Sequence, residues 1–291
     1  MEASVVLSAV AIVGGVGLTF GILIALADRK LKVWEDPRID GTVELLPGAN
    51  CGACGYPGCR GFAEALVDGR VQPATCTVMS PDARDDVAGY LGVDAGEAQK
   101  VVARLLCAGG SDVAPSKARY EGLESCAAAV AVSGGGKGCP WGCLGLADCA
   151  VSCDFDAIYM EPTGLPVVDP EKCTACGDCV EACPLGLFVL MPLEHQLLVQ
   201  CRSLLEGDAA TAVCAVACNA CGRCVQDAEP GVIAMRSGLA VIDYEQIERA
   251  TPEATARCPT GAIVWVEGAQ LTLGAQAARA PGVAPRVGSA A

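Results

Sequence analysis

Three scarcities set the first limits on this chain. Phe, Trp and Tyr make up 4% of its 291 residues, there is one histidine, and 20 Lys and Arg face 34 Asp and Glu, for a net charge of −14. With so few aromatics, part of the usual hydrophobic core must be replaced by another source of cohesion. The single histidine, His195, excludes histidine-rich metal sites and most acid–base triads, and reads as a loop or surface residue. The missing positive charge argues against nucleic acid as a partner, because no basic footprint is offered. A phosphate loop is also missing. The run Gly134–Gly138 with Lys137 imitates one, but Ala131 stands where its first glycine belongs and Gly138 where Ser or Thr belongs. That run reads as a flexible joint. No GxGxxG follows a strand, so a nicotinamide or flavin site on this chain has no support. The neighbouring Asp85 and Asp86 read as a solvated face rather than a general acid and base.

What is abundant is cysteine, with 20 residues. A chain of this length holds two or three domains and does not need disulfides to fold, so the spacing favours metal. Cys173-x2-Cys176-x2-Cys179-x3-Cys183-Pro184 has the spacing of a bacterial ferredoxin ligand run. In such a run three thiolates hold one 4Fe–4S cluster and the fourth crosses to another. Cys153, Cys173, Cys176 and Cys179 therefore form one expected site, and Cys183 joins the preceding run Cys139, Cys143, Cys149. Zinc is the alternative for a CxxC pair, and the triple spacing before Cys-Pro disfavours it. Loaded clusters would contribute folding free energy, and the apoprotein should fold badly.

A repeat organises residues 100–266. Cys126 and Cys201, Cys139 and Cys214, Cys143 and Cys218, Cys149 and Cys224, and Cys183 and Cys258 are all 75 positions apart. Unit one is expected over about 126–190 and unit two over about 201–266. The same offset from Cys153, Cys173, Cys176 and Cys179 lands on Ala228, Glu248, Thr251 and Ala254. Unit two has thus lost as a set the four ligands that the crossing rule assigns to one cluster. Its remaining site is Cys218, Cys221, Cys224 and Cys258. Unit one has Leu146 where unit two has Cys221, so Cys143, Cys149 and Cys183 need a fourth ligand. Cys139 is the nearest. Cys107, Cys126, Cys201 and Cys214 would then make a fifth site. A rival partition gives Cys107 to the unit-one site and groups Cys126, Cys139, Cys201 and Cys214. The leftovers also read as small buried residues. Ala157–Glu161 with Leu165–Asp169, and Val232–Arg236 with Leu239–Asp243, read as hairpins, with short helices between them. The expected class is α+β and ferredoxin-like. Residues 267–291, rich in Ala, Gly and Pro, read as a disordered tail.

The front of the chain is different. Val5–Ala27 is apolar and free of charge, and at 1.5 Å per residue it can span a ~30 Å hydrocarbon core. No Lys or Arg precedes it, whereas Arg29, Lys30 and Lys32 follow, which favours an uncleaved anchor (residues 1–30) over a signal peptide. The same basic cluster puts the C-terminal bulk in the cytoplasm. Gly17 and Gly21 have GxxxG spacing, which suits packing against another membrane helix. Residues 31 to about 44 read as a linker opening a domain over 31–99. In it Cys51, Cys54, Cys59 and Cys76 form a further 4Fe–4S set, a short helix runs from Gly61 to Val67, and Ser80-Pro81-Asp82 starts another. Four clusters are expected, or five with the shared site.

The order of an apolar helix, a CGACGYPGC domain and a polyferredoxin with GCPWGCLGLADC and CTACGDCVEACP resembles the B subunits of Rnf-type ion-pumping ferredoxin:NAD oxidoreductases. The resemblance covers about residues 1–266. It implies an electron-transfer subunit of a translocating complex in the cytoplasmic membrane, crossing once. Soluble ferredoxin would be the donor and membrane-embedded subunits the acceptors, while a sister subunit carrying FMN and NAD(H) completes the reaction. On this reading the chain carries electrons and has no substrate-converting site of its own. The alternative is a ferredoxin-like adapter serving a different membrane reductase without ion pumping.

Overall fold

The computed structural model describes residues 2–31 and 35–271. Helix α1 (Glu2–Leu31) carries Arg29 and Lys30 in its last turn, and its stretch Val10–Lys30 is long and apolar enough to cross a membrane. A Cβ built on Gly14, Gly15, Gly17 or Gly21 would meet nothing within 4 Å, so this face has no partner among the described residues. Lys32 lies outside the described residues.

The first cysteine domain is helical. Its helices are α2 (Pro37–Leu45), α3 (Gly58–Val67) and α4 (Pro81–Leu91). The segment expected to be a linker is mostly α2. Asp36 caps this helix by accepting from Arg38 N at 2.9 Å, and Pro37 at its first position has no N–H to lose. Ile39 and Val43 pack on the buried Leu46, Phe62, Leu66, Met79 and Val87, so α2 belongs to the domain. Burying that apolar face is what makes nine residues helical, since propensity alone would not. Helix α4 starts as expected, with Ser80 Oγ accepting from Ala83 N at 3.2 Å, and it stops at a left-handed Gly92. Asp85 and Asp86 lie on α4, and both are exposed.

The second cysteine domain is two copies of one plan. The first runs β1 (Val101–Leu105), α5 (Cys126–Ala131), α6 (Asp148–Val151), β2 (Ile158–Met160), β3 (Pro166–Val168), α7 (Asp178–Ala182) and β4 (Phe188–Pro192). The second runs β5 (Leu197–Val199), α8 (Gly207–Val213), α9 (Arg223–Asp227), β6 (Ile233–Arg236), β7 (Leu239–Ile242), α10 (Glu253–Ala256) and β8 (Ile263–Trp265). Each copy has two antiparallel ribbons, β1–β4 and β2–β3 in the first, β5–β8 and β6–β7 in the second. Both expected hairpins are present. The units begin earlier than expected, however, with β1 and β5, because β4 and β8 each need an outer strand to pair with.

The register shows where the copies diverge. Leu105 pairs with Phe188 and Val199 with Ile263. Cys107 and Cys201 therefore follow equivalent strands. Cys107 and Cys139 are 32 positions apart, but Cys201 and Cys214 only 13. Unit one thus contains an insertion between its first strand and its first cysteine run. The glycine-rich Ser133–Gly136 turn closes this insertion. It is not a loose joint: Lys117 N and Ala118 N both donate to Gly136 O, at 2.7 and 3.2 Å, and Gly138 N donates to Pro115 O at 3.0 Å.

The core of the doubled domain mixes aliphatic side chains such as Leu105, Leu165, Leu187, Leu197 and Ile233 with buried cysteines, and Phe188 is its buried aromatic. The sulfur sites therefore occupy the place an aromatic core would take. The expected tail also needs correction at its start. Gln270 bonds both backbone atoms of Leu105, accepting from its N at 3.0 Å and donating to its O at 2.6 Å, and Leu271 is buried. Gln270 thereby satisfies a position on the free edge of β1, as a strand would. The rest of the expected tail, 272–291, lies outside the described residues. His195, expected in a loop, is half-buried in the turn between the units and stacks on Tyr244 at 5.2 Å.

Candidate metal centres

None of the 20 cysteines is in a disulfide, and the fold sorts them into quartets. Cys51, Cys54, Cys59 and Cys76 line one cavity, closed by Leu46 and Phe62. Cys153, Cys173, Cys176 and Cys179 line another, with Ala103, Phe155 and Leu190. Cys126, Cys143, Cys149 and Cys183 share a third, under Leu105 and Phe188. Cys107, Cys139, Cys201 and Cys214 share a fourth, between the units. Cys218, Cys221, Cys224 and Cys258 are grouped through Cys224, on which the other three sulfurs act electrostatically.

Local backbone explains why such short runs converge. In Cys173–Cys179 and in Cys218–Cys224 the sequence is C-x-A-C-G-x-C. Ala175 and Gly177 in the first, and Ala220 and Gly222 in the second, are left-handed. Two left-handed residues curl the loop around a common centre, and a short helix then starts one residue before the third cysteine, in α7 and in α9. The run Cys143–Cys149 keeps the same curl with Gly145 and Ala147 left-handed, although Leu146 replaces the central cysteine. Gly145 is required there, because a Cβ would come within 2.8 Å of Gly164 O. Gly109 likewise leaves room for sulfur, since its Cβ would sit 3.1 Å from Cys214 Sγ.

The partition departs from both sequence-based versions. Cys139 does not join Cys143, Cys149 and Cys183. The position left open by Leu146 faces Cys126, brought in by the insertion. Nor does Cys107 join that set: it lies with Cys139, Cys201 and Cys214. The shared quartet consists of two equivalent pairs, Cys107 with Cys201 and Cys139 with Cys214. The 75-residue match of Cys126 with Cys201 is a coincidence of numbering that the insertion concealed. Cys126 is held by a residue that sequence reasoning missed. Asp148 accepts from Cys126 N at 2.9 Å, Ala127 N at 3.1 Å and Ser125 Oγ at 3.0 Å. Desolvation pushes the Asp148 carboxyl upward, but these bonds outweigh it and hold it below the ordinary carboxylate range. A carboxylate directly before Cys149, at the start of a helix, was the available signal.

The quartets fit a polynuclear cluster better than a single ion. Zinc at about 2.3 Å from each sulfur would draw thiolates to within about 3.8 Å of one another. Among the described residues no three Cys, His, Asp or Glu groups are close enough to hold one metal ion. Four of the quartets each line a small pocket of their own. Their walls are apolar, and backbone amides point at sulfur. Gly109 N and Cys143 N donate to Cys107 Sγ, Leu187 N to Cys183 Sγ, and Ser203 N to Cys201 Sγ, each at 3.4 Å.

Comparison with known proteins agrees with this chemistry. A family model for an Fe-S cluster matches residues 46–78, and a 4Fe-4S binding domain model matches 165–188. The chain is 42% identical to the B component of the Na(+)-translocating ferredoxin:NAD(+) oxidoreductase complex of Acetobacterium woodii, over 89% of this chain and 77% of that one. It is 35% identical to the B component of the ion-translocating oxidoreductase complex of Methanosarcina acetivorans, over 89% and 98%. The proton-translocating counterpart from Clostridium ljungdahlii is 36% identical over 85% and 88%. This chain belongs to the RnfB family. It is an iron–sulfur electron-transfer subunit of a multisubunit oxidoreductase, with an N-terminal helix suited to a membrane.

In this RnfB-family chain burial disfavours the ionised form of the cluster-site thiols. Burial, reinforced by neighbouring sulfurs, pushes Cys143, Cys149, Cys179 and Cys214 up to about 12, and Cys201 and Cys224 to about 11. Four thiolates cannot share one dry cavity without cations, so metal must displace protons to enter.

Proposed function

We propose that the chain holds five 4Fe–4S clusters: one in the domain over 36–99, and four in the doubled domain, of which one is shared between its units. The grouping of all 20 cysteines into five quartets, without a thiol left over, carries this reading. Bound there, the clusters supply one-electron redox chemistry. The chain's own residues do the rest. The left-handed turns aim thiols at a common centre, and the buried Leu105 and Phe188 exclude water. Amides donating to Cys107, Cys183 and Cys201 favour the charged sulfur and tune the site.

We further propose that electrons come from a soluble ferredoxin, as the names of the relatives imply, and leave toward membrane subunits of the same complex. Arg29 and Lys30 at the end of α1 favour a cytoplasmic location for both cysteine domains. Gly17 and Gly21, open on α1, suit close packing against a helix of another protein of the complex. The test is purification from the native membrane with metal counting and identification of the co-purifying chains. The expected result is about 20 iron atoms per chain, five cubes of four, co-purifying membrane proteins, and reduction by reduced ferredoxin. Zinc, or iron for a single cluster, would overturn the reading.

A further inference from the structure

Arg104 is the only charged residue fully buried among the described residues, at 2% exposure. One guanidinium nitrogen, Nη1, donates to Gly268 O at 2.7 Å, while Nε and Nη2 have no partner. No carboxylate among the described residues forms an ion pair with it. Burying a cation without a counter-charge is strongly unfavourable, so a negative charge held close by would stabilise it. The groups that act on Arg104 electrostatically, besides its burial, are Cys173 and Tyr244. Cys173 is itself buried and belongs to the Cys153, Cys173, Cys176, Cys179 quartet. A second cation reaches the same residue: Lys100 Nζ donates to Cys173 O at 2.9 Å. Lys100 and Arg104 are four positions apart on an extended segment, and therefore on one face of it, the face opposite Ala103, which lines the cavity of that quartet. The other internal cation of this domain, Lys137, has a different address. It donates to Gly109 O at 2.6 Å and acts on Cys139 and Cys143.

We propose that Arg104, seconded by Lys100, is the built-in counter-ion of the Cys153, Cys173, Cys176, Cys179 site and raises the reduction potential of the group bound there. This rests on the reading of that quartet as a 4Fe–4S site. Four thiolates give such a group net negative charge, and reduction adds one more. A fixed cation in a low-dielectric interior favours the reduced state, with little screening by salt. The buried, half-satisfied guanidinium is then explained: the desolvation that makes it unfavourable alone makes it effective beside an anion.

The experiment is a potential-controlled titration of the iron-loaded chain in its purified complex, followed by electron paramagnetic resonance. Dithionite supplies one electron per site, and no bond is made or broken. In Arg104→Gln, one titration step should move to lower potential, with iron content and the other steps unchanged. At the former midpoint the reduced-to-oxidised ratio should fall at least tenfold, which is about 59 mV for a one-electron couple. Arg104→Lys should restore most of the shift. Lys100→Gln, at an exposed position, should move the same step in the same direction by less. Cys173→Ala should remove that step together with about four irons. The proposal falls if Arg104→Gln keeps its iron and no step moves, if Arg104→Lys shifts as far as Arg104→Gln, or if the moving step survives in Cys173→Ala. Should Arg104→Gln fail to assemble, Lys100→Gln decides, and an unmoved step overturns the proposal. A Cys173→Ala chain that loses no iron would sink the cluster reading itself, whatever Arg104 does.

Discussion

The runs Cys143–Cys149 and Cys218–Cys224 share a backbone but not a ligand set. Both curl through two left-handed residues into a short helix, yet the first has Leu146 where the second has Cys221. Unit two presents its four sulfurs from the run and from Cys258, and Cys221 is exposed. Unit one reaches the same number by importing Cys126 on an inserted segment, fixed by Asp148. The surroundings differ as a result. The unit-one quartet is covered by Leu105, Leu144, Leu187 and Phe188, whereas the unit-two site has a thiol at the surface. Loop curvature and ligand identity are therefore separable. The fold keeps the curl in both units, and the fourth sulfur can arrive from elsewhere.

The largest effect should come from deleting ligands and counting iron. Cys126→Ala and Cys221→Ala should each cost about four irons per chain, from unit one and unit two respectively. Cys139→Ala should spare the unit-one signals and remove the shared site instead. If Cys139→Ala and Cys126→Ala abolish the same paramagnetic signal, the two units are not partitioned in this way. A smaller, more discriminating effect is rescue. Because the curl of unit one is intact, Leu146→Cys added to Cys126→Ala should restore much of the lost iron, making unit one imitate unit two. No recovery of iron would mean that the shared backbone is insufficient. The smallest effect belongs to Asp148→Ala. Losing three hydrogen bonds to a half-buried carboxylate should destabilise the insertion by about 1–2 kcal/mol. The readout is faster loss of unit-one iron to a chelator, with unit two unchanged. Equal loss rates in both units would remove Asp148 from the comparison.

Much of this is legible in the residues. The hairpins around Gly164 and Gly238, the Ser80 cap, and the grouping of Cys153 with Cys173, Cys176 and Cys179 in space follow from spacing and turn chemistry that act over a few residues. The departures share a cause. A constant offset reveals a duplication but cannot see an insertion upstream of the matched run, so it pairs Cys126 with Cys201 by number when Cys107 is the structural counterpart. Helix α2 and the packed residues 268–271 read as linker and tail because their local composition is polar or small. What orders them is burial against Phe62 and an edge bond to Leu105, partners 16 residues or more away in sequence.

The amino-acid sequence by itself determined the chemistry of this protein: thiols at cube-wrapping intervals, too few aromatics for an ordinary core, and one apolar helix at the front. Those are properties of residue type and short-range spacing, and they survive without coordinates. The tertiary structure decided which thiol serves which site, and where the uncompensated charge of Arg104 lies. A fourth ligand and a buried counter-ion are set by distances across the fold, between segments that closing strands and an inserted loop bring together.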